Sequence, residues 1–182
     1  MTRALTLTLP GALLAAALPA AALAQAGAGA GTVTGTLDLD DARWIVAGAD
    51  GDPSSTWREE DGRWDIRLVA TPEAGGVSGP GTLTIEFTAE AGATEADVTE
   101  ARVTMEAGSR DYIAEDENVD LSLTAVEAEG SDMVIAGSFQ ATMTPGGATG
   151  LVIETQAGRV VDGNFQATVP AASGGSGGDE AD

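Results

Sequence analysis

Beyond an Ala/Gly-rich beginning, apolar and polar residues alternate one by one over short runs. That is the period of a half-buried β-strand, whose successive side chains leave on opposite faces. Two runs are near copies. Gly137-Ser138-Phe139-Gln140-Ala141-Thr142-Met143 and Gly163-Asn164-Phe165-Gln166-Ala167-Thr168-Val169 share the pattern Gly-x-Phe-Gln-Ala-Thr-apolar, and each is closed by a proline, Pro145 or Pro170. Met133, Ile135, Gly137, Phe139, Ala141 and Met143 fall on one face, and Val161, Gly163, Phe165, Ala167 and Val169 fall on one face of the second copy. These two strands are expected at the centre of an antiparallel β-domain.

The remaining elements follow the same rule. Thr32 to Leu39 reads as the first strand, with Val33, Leu37 and Leu39 on one face and Asp40-Asp41 as the turn behind it. Arg43 to Ala47 is the second strand, and Ala49 to Ser54 is dense in turn formers. Thr56 to Glu59 is at most a short strand; Glu60-Asp61-Gly62 then turns the chain into Arg63 to Ala70, where Trp64, Ile66, Leu68 and Ala70 alternate with polar residues. Thr71 to Gly81 reads as a long loop, Thr82 to Thr88 as a clean strand, and Glu90 to Thr99 as a stretch without strand pattern that supports at most a helical turn.

Ala101, Val103 and Met105 alternate again; Asp111 to Ile113 is a strand stub, and Glu115-Asp116-Glu117 is too charged to bury. Val119, Leu121, Leu123 and Ala125 make the next strand, and a turn over Glu129 to Asp132 sets Leu123 against Ile135 and Leu121 against Gly137. Leu151 to Glu154 and a short loop at Gln156 to Gly158 lead into the second Gly-Phe strand. About eight to ten short strands, turn signals at regular spacing and no helix–strand alternation predict an all-β fold. The expected architecture is an antiparallel β-sandwich or a calycin-like barrel.

A glycine on the apolar face weakens a strand unless a neighbour's ring covers the gap or the sheet must bend there. Each copy places a phenylalanine two residues beyond its glycine, which predicts a core with tight sheet contacts. The functional alternative is a ligand floor with glycine making room. On these residues, Met133 to Val169, the chain resembles exported bacterial antiparallel β-domain proteins of uncharacterised role with paired Gly-x-Phe C-terminal strands, some of them lipid-attached. The resemblance implies an antiparallel β fold and brings no catalytic residue. The absence of Cys departs from the lipid-attached members.

Both ends of the chain read as outside the fold. Met1-Thr2-Arg3, the apolar run Ala4 to Leu18 and the small residues around Ala24 and Ala26 have the order of a secretory signal peptide, cleaved after 24 or 26. The run is shorter than a membrane-spanning helix needs and is broken at Pro10-Gly11. Residues 25–31 read as a flexible leader, 32–170 as a single β-domain and 171–182 as a disordered acidic Gly/Ser tail. The expected product is soluble and periplasmic or secreted, without membrane insertion after cleavage. With no Cys it has no disulfides, so its core must hold it alone.

Charge narrows the partners. There are 29 acidic residues against 8 basic ones, all of the latter arginine, and the net charge is −21. Nucleic acid and anionic membrane surfaces would be repelled. The acids fit either adaptation to high salt or a genome that favours Ala, Gly, Asp and Arg. Without His or Cys, histidine triads, thiol catalysis and common zinc sites are excluded.

Three candidate sites remain. Asp38, Asp40 and Asp41 could meet Asp50 and Asp52 around a calcium ion, which takes six to eight oxygens; turn aspartates in water explain them as well, and an ion-free turn at Asp50 to Pro53 is expected. Trp57, on a poor strand between Thr56 and Arg58, could be exposed and stack on a sugar face. Glu86 and Glu154 lie inside strands and could serve as a glycosidase pair. The reading preferred from sequence is a non-catalytic interaction or structural module of the cell envelope, with no cofactor. The alternatives are a protein that binds a small apolar or glycan ligand and, further off, a glycan-active hydrolase.

Overall fold

A computed structural model describes residues 30–48, 54–73, 81–91, 98–146 and 158–172. Ten strands occupy almost all of this: β1 (Gly31–Leu37), β2 (Asp40–Val46), β3 (Thr56–Glu60), β4 (Arg63–Pro72), β5 (Thr82–Glu90), β6 (Val98–Ala107), β7 (Arg110–Glu115), β8 (Val119–Glu129), β9 (Asp132–Pro145) and β10 (Arg159–Pro170). A single 3₁₀ turn, Asp116–Asn118, joins β7 to β8. Every pairing between these strands is antiparallel.

The strands close into an uneven ring. Its order is β10-β1-β2-β4-β5-β6-β7-β9, and β9 pairs back onto β10. The two long members fork. One edge of β4 is shared by β3, along Arg63 to Arg67, and by β2, along Ala70 to Pro72. One edge of β9 is shared by β8 and, at Thr144 and Pro145 only, by β7. Long, well-paired stretches therefore alternate with two short seams, and the ring combines the closure of a barrel with two sandwich-like flaps.

The interior is built by the alternation. Val33, Trp44, Val46, Leu68, Leu83, Ile85, Val103, Met105, Met133, Ile135 and Met143 are wholly buried. Phe165 stands between Phe87 and Phe139, with ring centroids 6.2 and 6.4 Å away. The two Gly-Phe copies interlock: β9 and β10 pair with Gly137 opposite Phe165 and Gly163 opposite Phe139. A Cβ on Gly137 would clash with the Ser122 carbonyl oxygen of β8 and lie 2.6 Å from Cζ of Phe165, so strand and ring together occupy the space the glycine leaves. Gly163 meets β1 instead, where a Cβ would come within 2.5 Å of the Thr34 carbonyl oxygen.

Turns correct the sequence reading in two places. The first hairpin turns at Asp38-Leu39, not at Asp40-Asp41: Leu37 pairs with Asp40, and both turn residues have positive φ, 53° and 75°. A two-residue hairpin loop of matching twist requires that backbone, and this overrides the alternation. Leu39 is thereby 92 % exposed rather than on the buried face, and Asp40 and Asp41 belong to β2. The β8–β9 turn is also tighter than expected. Glu129 pairs directly with Asp132 around Gly130-Ser131, which sets Val126, not Ala125, on the buried face opposite Ile135. A bulge between Leu123 and Ala125 then shifts the register by one, so that Leu123 faces Gly137 and Leu121 faces Phe139.

Boundaries shift by small amounts. β4 runs on to Pro72 and β6 begins at Val98, which shortens both expected loops. Hydrogen-bonded backbone is present on both sides of 32–170: Ala30 N donates to Val46 O at 3.0 Å, Ala171 N to Ser131 O and Ala172 N to Trp57 O, both at 2.7 Å. The stretch read as a signal peptide, Leu151 to Glu154, and the residues beyond Ala172 lie outside the described residues.

Candidate functional site

A broad depression lies against the β3–β6 sheet. It encloses about 870 Å³ and is bordered by Asp116 and Ala172. Its floor is set by strand register. Arg58 stands opposite Asp65, Asp65 opposite Thr88, and Thr88 opposite Glu100. One row along, Arg67 faces Glu86, Glu86 faces Arg102, and Arg102 faces Glu115. In the second row opposite charges alternate across four strands, β4 to β7, the arrangement that favours cross-strand pairs.

These charges satisfy one another. Arg58 holds Asp65 through Nε and Nη2, both at 2.9 Å, and Thr88 Oγ1 donates to the other carboxylate oxygen at 3.0 Å. Arg67 Nε lies 3.5 Å from Glu86, and Arg102 Nη1 lies 3.2 Å from Glu115. Three arginines meet five carboxylates here, so the groove keeps an acidic excess and offers no free cation to an anion. Exposed pairs of this kind each contribute about 0–1 kcal/mol. The ladder fixes register on the outside of the sheet.

The three sites expected from sequence fare differently. Trp57 borders the groove, but its indole is not exposed: it is 9 % accessible and shares the face of Ile66, and Nε1 donates to Ser131 O at 3.2 Å. It ties β3 to the β8–β9 turn, which removes the exposed sugar platform that its weak strand predicted. Glu86 is a rung of the ladder; Glu154 lies outside the described residues.

Asp38 is committed elsewhere. Its carboxylate accepts from Arg159 Nε at 2.7 Å and from Val160 N at 2.9 Å, while Asp38 N donates to Val160 O at 2.8 Å. Partial burial pushes the Asp38 pKa up, but the Val160 N–H and the Arg159 guanidinium outweigh it and hold the carboxyl below its usual range. Arg159 also lies 5.6 Å from the centre of the Tyr112 ring. Asp40 and Asp41 are exposed on β2. Asp50 and Asp52 lie outside the described residues, and no metal-ligating cluster occurs among the described ones.

Sequence reading did not anticipate the ladder. Each strand displays its half of it, as in Asp65-x-Arg67, Glu86-x-Thr88 and Glu100-x-Arg102, but pairing depends on a register no single strand encodes. No family model, curated protein or solved structure matches this chain.

Proposed function

We propose that the protein is an exported, non-catalytic β-domain that serves as an interaction or structural module of the cell envelope. The observation that carries this reading is the filled interior. Phe87, Phe139 and Phe165 meet at its middle and are 4 %, 3 % and 2 % accessible, so side chains hold the place a carried ligand would take. The outer surface is then what remains for recognition. The apolar face turns inward and the charged ladder outward, the reverse of a lipid-facing barrel, which supports a water-soluble product. The N-terminal leader pattern supports export.

The test has two arms. Cells producing the full chain are fractionated by osmotic shock and the recovered protein is weighed by mass spectrometry. A periplasmic or secreted product beginning at Gln25 or Gly27 is expected; an intact chain retained in the cytoplasm would overturn export. The purified protein is then titrated with the neutral apolar probe N-phenylnaphthylamine. No saturable uptake is expected, and one-to-one binding would transfer the reading to a small-ligand carrier.

A further inference from the structure

The outer face on the other side of the ring differs from the ladder. β1, β10, β9 and β8 lie side by side, and register aligns their outward residues into rows. One row runs Thr34, Asn164, Ser138, Ser122; the next runs Thr32, Gln166, Ala136, Ala125. No charged residue stands in either row, in a chain whose net charge is −21. Charges begin at the border, with Arg43 opposite Thr34, Asp162 opposite Thr36, Asp120 opposite Gln140 and Glu127 opposite Val134. A shallow depression of about 270 Å³ lies here, bordered by Thr32, Thr34, Thr124, Asn164 and Gln166.

The hydrogen-bonding capacity of this patch is unspent. Among the described residues, the side chains of Thr32, Thr34, Ser122, Ser138, Asn164 and Gln166 make no hydrogen bond to protein, whereas Thr36, at the border, donates to Asp162 at 2.7 Å. Thr34, Ser122, Asn164 and Gln166 are exposed. Four adjacent strands span about 14 Å at their ordinary spacing, so the hydroxyls and amides form a flat array of donors and acceptors.

That chemistry selects a partner. An anionic polymer would meet the repulsion of the whole molecule. A cation would find the carboxylates elsewhere. A protein interface centres on aromatic or arginine anchors, and these rows hold none. A second copy would bring a second large negative charge. What fits is an uncharged chain rich in hydroxyls, able both to donate and to accept, and long enough to add weak contacts along its length. We infer that the outer face of β1, β10, β9 and β8 binds neutral polysaccharide. This rests on the reading of the protein as an envelope module and names what that module holds.

The experiment is affinity electrophoresis of the full-chain product in gels containing hydroxyethyl cellulose, mixed-linkage β-glucan, galactomannan or dextran, with alginate as the polyanionic control, and sedimentation with insoluble cellulose and chitin. At least one neutral polysaccharide should retard or sediment the protein, and alginate should not. Asn164→Asp and Thr34→Glu, both at exposed positions, place a charge within the array and should weaken retention about tenfold, a loss of about 1.4 kcal/mol, without lowering the melting temperature. Arg67→Gln, on the ladder face, should bind like the parent.

Three results would overturn the inference. Failure of every neutral polysaccharide would do so and leave the envelope reading to its fractionation test. Retention unaffected by both array variants would move the site elsewhere. A dimer in sedimentation velocity that Asn164→Asp dissolves would assign the face to a second copy. Array-dependent retention accompanied by release of reducing ends would support the surface and sink the non-catalytic reading instead.

Discussion

The two outer faces of the ring solve the same inner problem with opposite outer chemistry. On β3 to β6 the core is apolar and the outside is a ladder of paired charges, with Arg58, Arg67 and Arg102 each held by a carboxylate of the next strand. On β1, β10, β9 and β8 the core is equally apolar, yet two central outward rows are hydroxyls, amides and small residues whose side chains make no hydrogen bond to the protein. The first face uses its polar groups to define register. The second defines register from inside, through Gly137 under Phe165, and leaves its outer groups unengaged. Where a fold sets strand register by core shape, its outer surface is released for other uses.

The interlocked core is the part of this contrast with the largest expected effect. Phe165→Ala removes the ring that touches both Phe87 and Phe139 and should cost about 3–5 kcal/mol, with Phe139→Ala in the same range. Urea denaturation of variant and parent measures it. A loss below about 1 kcal/mol would mean the neutral face is not held from within. Gly137→Ala approaches the same joint from the other side. A methyl there would clash with the Ser122 carbonyl oxygen and lie 2.6 Å from Phe165 Cζ, so it must displace β8 and the ring, and overpacking of this kind costs about 1–3 kcal/mol. A neutral outcome would show that the pairing of glycine and ring is incidental.

The hairpin turns sharpen the comparison with an effect of opposite sign. On the ladder side Asp61-Gly62 turns β3 into β4 with φ of 52° and 76°. On the neutral side Asp38-Leu39 adopts the same backbone with a leucine, a residue that pays roughly 1–2 kcal/mol in the left-handed region. Leu39→Gly should therefore raise stability by about 1 kcal/mol, after its greater unfolded-state entropy is subtracted, visible as a higher melting temperature. A decrease would mean that the exposed leucine makes contacts that outweigh its strain.

The ladder itself should matter less. Glu86→Gln breaks the charge pairing in the middle of a row and should cost about 0.2–1 kcal/mol. Raising salt from low to molar should shrink that difference through screening while the parent's own melting temperature rises, as repulsion among its 29 acids is relieved. A cost that persists in molar salt would mean Glu86 contributes through packing.

What was legible in the sequence follows the same division. Alternation disclosed the strands and their buried faces, because burial depends on residue type alone: Phe139, Phe165, Trp64 and Ile66 all point inward as read. It failed at Leu39, where turn geometry outranked hydrophobicity, and at Ala125, where a bulge changed the face. Trp57 was misjudged because its strand is only five residues long; its burial depends on Ser131, more than seventy residues later. Neither the ladder nor the neutral array was visible, since each exists only once four strands are in register.

The smallest predicted effect tests the border between the two chemistries. Asp38 is the neutral side's clearest ion pair, joining the β1–β2 turn to the start of β10 through Arg159. Its folded pKa is lowered, with burial opposing and the Val160 N–H and Arg159 prevailing. A carboxyl held below its unfolded value stabilises the fold at pH values above that unfolded value, about 3.9. The contribution fades as pH falls through the still lower folded value. Asp38→Asn keeps an oxygen acceptor for Val160 and suits the left-handed backbone, so it removes little beyond the charge. The Asp38 side chain is 41 % exposed, and solvent screening limits the effect to about a few tenths of a kcal/mol. Melting temperatures measured from pH 7 to pH 3 should place the parent slightly above the variant at neutral pH, with the two curves converging below about pH 4. A constant offset down to pH 3 would assign the difference to turn geometry, and a gap that widens with acid would refute the depressed pKa.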